Sequence, residues 1–202
     1  LRQRLEVTEH DTAELRQRLE APERDGLIAT TMAWLAQQPV LDDVAVSVVT
    51  PTHKRPEPLR EAIGSVMAQC HQTWEMLVVD DGSNTAADVV AEFDDPRLRL
   101  IEVEHGGVCR ARNVALDHAK GDVIVYLDDD NLLDPSWLHA VAWAFRNNPD
   151  TSVLYGARVL DVPRGHGDAR DSLPWVQFNP FDRAALEQDN FADMGVIAHR
   201  SD

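Results

Sequence analysis

The sequence predicts an α/β domain built on a mostly parallel sheet flanked by helices, carried behind a helical, heptad-patterned appendage. Three observations predict it. From Val44 onward, apolar runs of strand length alternate with segments whose apolar residues recur at helical spacing. Three of the strand-like runs stop abruptly in polar clusters, Pro51-Thr52-His53-Lys54-Arg55, Asp80-Asp81-Gly82-Ser83 and Asp128-Asp129-Asp130, and open sheets of this kind bind ligands beyond the carboxyl ends of their strands. The 202 residues, 44% of them hydrophobic, suffice for one core of ordinary size, with residues 1–40 as the appendage and 41–202 as the domain.

The appendage opens with Leu-Arg-Gln-Arg-Leu-Glu at 1–6, repeated at 15–20. Leu1, Leu5, Thr8, Thr12, Leu15 and Leu19 alternate steps of four and three, the a/d rhythm of a coiled coil. Either self-association through residues 1–20 or a solvated helical tail is expected. Pro22 and Gly26 are expected to end that segment, and Asp25 to cap a short helix carrying Leu27, Ile28, Met32 and Leu35, closed by Pro39. Val44 to Thr50 then reads as a buried strand stopped by Pro51. Glu57 to Gln69 reads as a helix with Leu59, Ile63, Val66 and Met67 on its apolar face, and Trp74 to Val79 as a second strand. A helix through Val89, Val90 and Phe93, a strand from Leu98 to Val103 and a helix from Val108 to His118 come next. A strand from Val123 to Leu127, a helix from Pro135 to Arg146 capped by Asp134, and a strand from Phe191 to Ala198 complete the pattern.

Acidic residues outnumber basic ones 35 to 19, a formal net charge of −16. Without a basic patch to offset that charge, binding to nucleic acid or nonspecific adsorption to anionic membranes is not expected. No apolar run is long enough to span a bilayer, and the first residues lack a secretion signal. A cytoplasmic location is expected, free or peripheral to the inner face of a membrane. Cys70 and Cys109 have neither CxxC nor metal-ligand spacing and read as buried free thiols.

The Asp128-Asp129-Asp130 triplet follows a buried apolar run, where three adjacent like charges repel unless something cationic sits among them. Oxygen-only ligands at a strand end suit Mg²⁺ or Mn²⁺, which complete their shell with water and phosphate oxygens. A fourth polar element, His105-Gly106-Gly107-Val108-Cys109-Arg110-Ala111-Arg112-Asn113, opens a helix whose amides and arginines could meet an anionic or planar group. His105 itself reads as a loop residue. Other chemistries lack their motifs: there is no GxxxxGK[ST], no GxSxG and no HExxH, and Gly165-His166-Gly167 lacks the strand and the later glycine of a dinucleotide fingerprint.

Val46-Ser47-Val48-Val49-Thr50-Pro51-Thr52, Val78-Val79-Asp80-Asp81-Gly82-Ser83, Gly106-Gly107-Val108 with Ala111-Arg112-Asn113, and Leu127-Asp128-Asp129-Asp130 together resemble a family 2 glycosyltransferase with the GT-A, Rossmann-like fold. The resemblance covers residues 44–159, with a weaker continuation to the end. It implies a metal-dependent, inverting transferase of hexosyl type that moves a sugar from a nucleotide-diphosphate donor, a UDP-sugar being favoured, onto the hydroxyl of a carbohydrate or other acceptor. It further implies that Pro51 and Thr52 line the nucleoside pocket, that Asp80 or Asp81 contacts the base, and that Arg55 and Arg112 help hold the donor. Asp128 to Asp130 become the metal-binding DxD motif, with Asp130 coordinating directly and Asp128 and Asp129 reaching ribose or metal-bound water, Asp128 also as a ligand. His53-Lys54 stands where the family commonly has Tyr-Asn, and Asp129 where it often has Ser. His199 follows the last strand, where related enzymes bring a further active-site residue. The acceptor-activating base would lie in an acidic motif after that strand, hence beyond residue 202; Asp189, Asp193 and Asp202 are the acids available within the chain. The chain is then expected to hold the donor half, binding a nucleotide with metal but transferring sugar poorly. The alternatives are a catalytically silent nucleotide-sugar binding module and, less favoured because no glycine-rich loop follows the first strand, a sugar-phosphate nucleotidyltransferase.

Overall fold

The computed structural model describes residues 21–160, 175–177 and 194–201. The heptad segment and the acids Asp189, Asp193 and Asp202 lie outside the described residues. The chain divides into two compact units, Leu1–Gln37 with Gly156–Asp193, and Gln38–Tyr155 with Met194–Asp202.

In the smaller unit, α1 (Ala21–Leu35) runs straight through the residues expected to interrupt it. Pro22 sits in the first turn, where its missing N–H costs nothing, and the helix accepts Gly26 in its interior. The helix therefore begins before Asp25 instead of being capped by it.

The larger unit is a six-stranded sheet. Its elements are β1 (Val46–Thr52), α2 (Pro56–Met67), β2 (Trp74–Asp81), α3 (Ala86–Phe93), β3 (Leu98–Val103), α4 (Val108–His118), β4 (Val123–Tyr126), α5 (Trp137–Asn147) and β5 (Val153–Tyr155). In the smaller unit two short strands, β6 (Arg158–Leu160) and β7 (Trp175–Gln177), pair antiparallel to each other. A 3₁₀ turn (Met194–Val196) then leads back into the large sheet as β8 (Ile197–Arg200). The order is β3-β2-β1-β4-β8-β5, with β1 to β4 mutually parallel and β8 antiparallel to both of its neighbours.

Burial follows the two-residue period of the strands. Val46, Val48, Met76, Val78, Val123 and Val125 face a core built with Leu59, Ile63 and Val66 of α2, Val89 of α3, and Leu138, Val141 and Phe145 of α5. Val49, Leu77, Val79, Ile124 and Tyr126 face the other way, against Ala111 and Ala115 of α4. Covered on both faces, β1 is buried along its whole length, as parallel strands are.

Several expected boundaries shift, each for a local reason. Pro51 does not stop β1, which continues to Thr52. The pairing with β4 ends at Val49↔Tyr126, and because alternate residues address the same edge, the missing N–H of Pro51 points where no ladder partner remains. α5 starts at Trp137 because Asp134 caps a turn first, its carboxylate accepting Ser136 N at 2.9 Å and Ser136 Oγ at 2.6 Å. The last strand begins at Ile197, since Met194-Gly195-Val196 coil into a 3₁₀ turn where glycine weakens a strand. Both cysteines are exposed and free, contrary to the burial expected of them: Cys70 lies in the loop after α2 and Cys109 on the solvent side of the first turn of α4.

Candidate active site at the strand ends

The polar clusters meet at the carboxyl ends of β2, β1 and β4, three adjacent parallel strands. The chain winds from β1 toward β2 and β3 on one side and reaches β4 on the other, so the winding reverses beside β1, the place where open sheets form a crevice.

The Asp triplet lies on the β4 side. Asp129 is buried, its Oδ2 accepting Thr52 Oγ1 at 2.7 Å and its Oδ1 accepting the Arg55 guanidinium at 3.2 Å. Arg55 reaches on to Asp130 Oδ2 at 2.6 Å. From the other flank, Arg112 of α4 donates to Asp128 Oδ1 at 2.5 Å. Three carboxylates thus meet two guanidiniums, and the acids hold the Arg55 pKa above its usual value, chiefly through the hydrogen bond to Asp130. The Asp129 side chain is 8% exposed and that of Asp130 52%, so Asp129 is committed to Thr52 and Arg55 while Asp130 keeps open oxygens. Arg112 Nε is buried and finds no acceptor among the described residues, a donor free for an anionic group beside Asp128. Hard carboxylate oxygens around a crevice fit Mg²⁺ or Mn²⁺.

The two acids after β2 differ sharply in role. Asp80 Oδ1 accepts Ser83 N at 2.7 Å and Ser83 Oγ at 2.6 Å, and its Oδ2 accepts Thr85 N at 2.9 Å and Ala86 N at 3.1 Å. It holds the turn into α3 together. Asp81 accepts Gly106 N at 2.7 Å and Gly107 N at 2.9 Å, and ties β2 to the entrance of α4. Burial pushes both carboxyls up, but these hydrogen bonds outweigh it and leave both below the usual range. Gly82, at φ +75°, turns the chain out of β2 directly after the two acids; a Cβ there would meet the His105 backbone nitrogen at 2.6 Å.

His53 and His105 flank Asp81. His53 Nδ1 lies 2.8 Å from the Asp81 carbonyl oxygen, His105 Nδ1 lies 3.1 Å from that oxygen and 2.8 Å from Asp81 Oδ2, and the two rings stack at 4.5 Å. The cluster is not legible in the sequence because its members are far apart in the chain, Asp81 at the end of β2 and the two histidines in separate loops. Lys54, at φ +59°, supplies the bend that turns His53 toward Asp81 and Arg55 toward the triplet. His199 lies on β8, its Nε2 accepting Tyr126 Oη–H at 2.9 Å.

Pro51, Thr52, Arg55, Asp80, Asp81 and Asp128 to Asp130 lie at or just after these strand ends, and Arg112 reaches Asp128 from α4. The model of the family described as glycosyl transferase family 2 matches residues 47–196. The chain belongs to glycosyl transferase family 2. It is 36% identical over 120 residues to the UDP-Glc:alpha-D-GlcNAc-diphosphoundecaprenol beta-1,3-glucosyltransferase WfgD of Escherichia coli, covering 57% of this chain and 46% of that protein. It is 31% identical over 122 residues to the glucosyl-dolichyl phosphate glucuronosyltransferase of Haloferax volcanii, covering 58% of this chain and 39% of that one. The family member thus spans less than half the length of these relatives. Among solved structures, residues 1-349 of S. aureus TarS superpose with a TM-score of 0.53 at 21% identity, covering 78% of this chain and 47% of that one. The fold is accordingly of the GT-A type.

Proposed function

We propose that the protein is a metal-dependent, inverting hexosyltransferase that binds a nucleotide-diphosphate sugar across the strand ends and delivers the sugar to an acceptor hydroxyl. The observation that carries this reading is the triplet of carboxylates at the end of β4, bracketed by Arg55 and Arg112, in a chain of this family. Asp130, with Asp128, would hold Mg²⁺ or Mn²⁺, which supplies Lewis-acid stabilisation of a leaving diphosphate.

The remaining work falls to the chain's own groups. Arg112 offers a buried, unused Nε–H to the nucleotide. Arg55, held by Asp130 at 2.6 Å, is free to move onto phosphate oxygens once a cation takes its place. Asp129 keeps Thr52 and Arg55 oriented, and Pro51 and Thr52 form the floor under the nucleoside. With all four of its short hydrogen bonds directed at the turn into α3, Asp80 supports the pocket from below, and Asp81 is the acid left nearer the base. A UDP-sugar is the favoured donor, in keeping with the UDP-Glc named for the E. coli relative, and a carbohydrate hydroxyl is the favoured acceptor. The base that deprotonates it is assigned to an acid outside the described residues, for which Asp193 and Asp202 are the candidates in this chain.

Calorimetric titration with UDP, GDP and dTDP and their hexose conjugates, with and without Mn²⁺, tests the reading. The expected outcome is donor binding strengthened by Mn²⁺, with the metal-dependent part abolished in Asp130→Ala. Metal-dependent affinity that survives this substitution would refute the site assignment, and the absence of any nucleotide binding would refute the function.

A further inference from the structure

We propose that His53, Asp81 and His105 form a second metal site, selective for borderline divalent cations of the Zn²⁺ and Co²⁺ class and separate from the carboxylate triplet. One ring nitrogen from each histidine and one Asp81 carboxylate oxygen lie within 4.8 Å of one another. Two imidazoles and a carboxylate are a donor set for Zn²⁺, Co²⁺ or Ni²⁺, whereas the all-oxygen triplet suits Mg²⁺ or Mn²⁺, so the two sites differ in the ions they select.

The anchoring is uneven in a way that favours capture. Asp81 is fixed by the amides of Gly106 and Gly107 and carries the local negative charge in a buried position. The histidines are the movable partners: His53 is half-buried and the His105 side chain is 64% exposed. Tetrahedral bonds of about 2.1 Å place ligand atoms about 3.4 Å apart, so the rings need to close by roughly an ångström, within the reach of two loop side chains of which His105 is exposed and His53 half-buried. Imidazole binds metal through either nitrogen and steadies itself through the other. In both rings Nδ1 is the nitrogen that faces the Asp81 carbonyl, at 2.8 Å from His53 and 3.1 Å from His105, so a cation taken at either Nδ1 replaces that ring's contact with the carbonyl. Three protein ligands leave a fourth position open to water or to a donor atom of a bound molecule.

The site adjoins the ends of β1 and β2, so a cation held there would also alter the entry of a nucleotide. That consequence rests on the function proposed above, whereas the metal site does not. Two titrations separate them. In the first, Co²⁺ is added to the nucleotide-free protein while its visible absorption is followed, and Zn²⁺ binding is measured by calorimetry. One equivalent is expected, with affinity falling at least tenfold in His53→Ala and in His105→Ala and unchanged in Asp130→Ala. No binding, binding indifferent to both histidine substitutions, or loss only in Asp130→Ala would overturn the proposal. In the second, UDP with Mn²⁺ is titrated with and without one equivalent of Zn²⁺. A Zn²⁺-induced loss of UDP affinity that disappears in His105→Ala is expected. Intact Zn²⁺ binding with no UDP binding at all would count against the function and leave the metal site standing.

Discussion

Lys54 adopts a left-handed backbone at φ +59°, a conformation that costs a lysine roughly 1–2 kcal/mol and an asparagine or glycine less. The strain serves the site, because the residues on either side of the bend are directed to two different partners, Asp81 and the Asp triplet. It also explains in physical terms why Asn is common at this position in the family. Replacing the exposed Lys54 by Asn is expected to stabilise the fold by about 0.5–1 kcal/mol without weakening donor binding, as read by denaturant midpoint and by UDP titration. A lower midpoint would show that the lysine side chain has a structural partner of its own. The proximity of these residues was legible from sequence, since Thr52, Arg55, Arg112 and the Asp triplet are all brought together. Their individual partners were not. Nothing in Asp80-Asp81 tells which acid holds a turn and which faces two histidines, because that depends on the direction each side chain takes from a β-strand and on loops distant in sequence.

Among the elements, β3 and α4 keep the limits that hydrophobic periodicity gives them, since both are bounded by clear turn residues. β8 was harder. Its four residues are ordinary strand formers, but insertion between β4 and β5, antiparallel to both, is a nonlocal choice that no periodicity encodes. α1 crosses a glycine for a related reason, as the cost of one interior glycine, about 1 kcal/mol, is small against the other residues of the helix. The entry to β4 is a junction with little tolerance. Gly121 lies so close to β1 that a Cβ would meet Ser47 N at 2.5 Å and the Ala45 carbonyl oxygen at 2.9 Å, and both are backbone atoms that cannot step aside cheaply. The Gly121 amide also donates to Ser47 Oγ at 2.8 Å, in a network with Glu75. Gly121→Ala is expected to cost about 2–4 kcal/mol, lowering the thermal midpoint and the soluble yield, whereas alanine at Gly64, which has open space around it, is expected to be neutral or stabilising. Equal midpoints for the two variants would contradict the close approach of the β4 entry to β1.

For the whole molecule, acid should act in two stages. His71 is buried with Nε2 directed at the Val44 and Thr73 carbonyls, and its Nδ1 has no partner among the described residues, so a second ring proton would be stranded. Burial accordingly lowers its pKa below the ordinary value. The unfolded chain then binds the proton more readily, and the stability present above about pH 6.5 is lost as pH falls toward the folded-state value. Asp80, Asp81 and Glu75 also have depressed pKa values, so their contribution is present above about pH 4 and is lost only on further acidification. Thermal midpoints measured from pH 8 to pH 3 should show both stages, with His71→Gln flattening the first and sparing the second. A first stage of unchanged size in that variant would assign it to another group. The placement of β8 has a further consequence for synthesis. Residues 38–155 leave the ribosome before residues 197–200, so the growing chain must wait with β4 as an open sheet edge and β5 without its ladder partner. An exposed edge of buried, β-branched sequence such as Val123-Ile124-Val125 is a template for pairing with another chain. Nascent chains stalled before Met194 should therefore depend on chaperones far more than chains extended past Arg200.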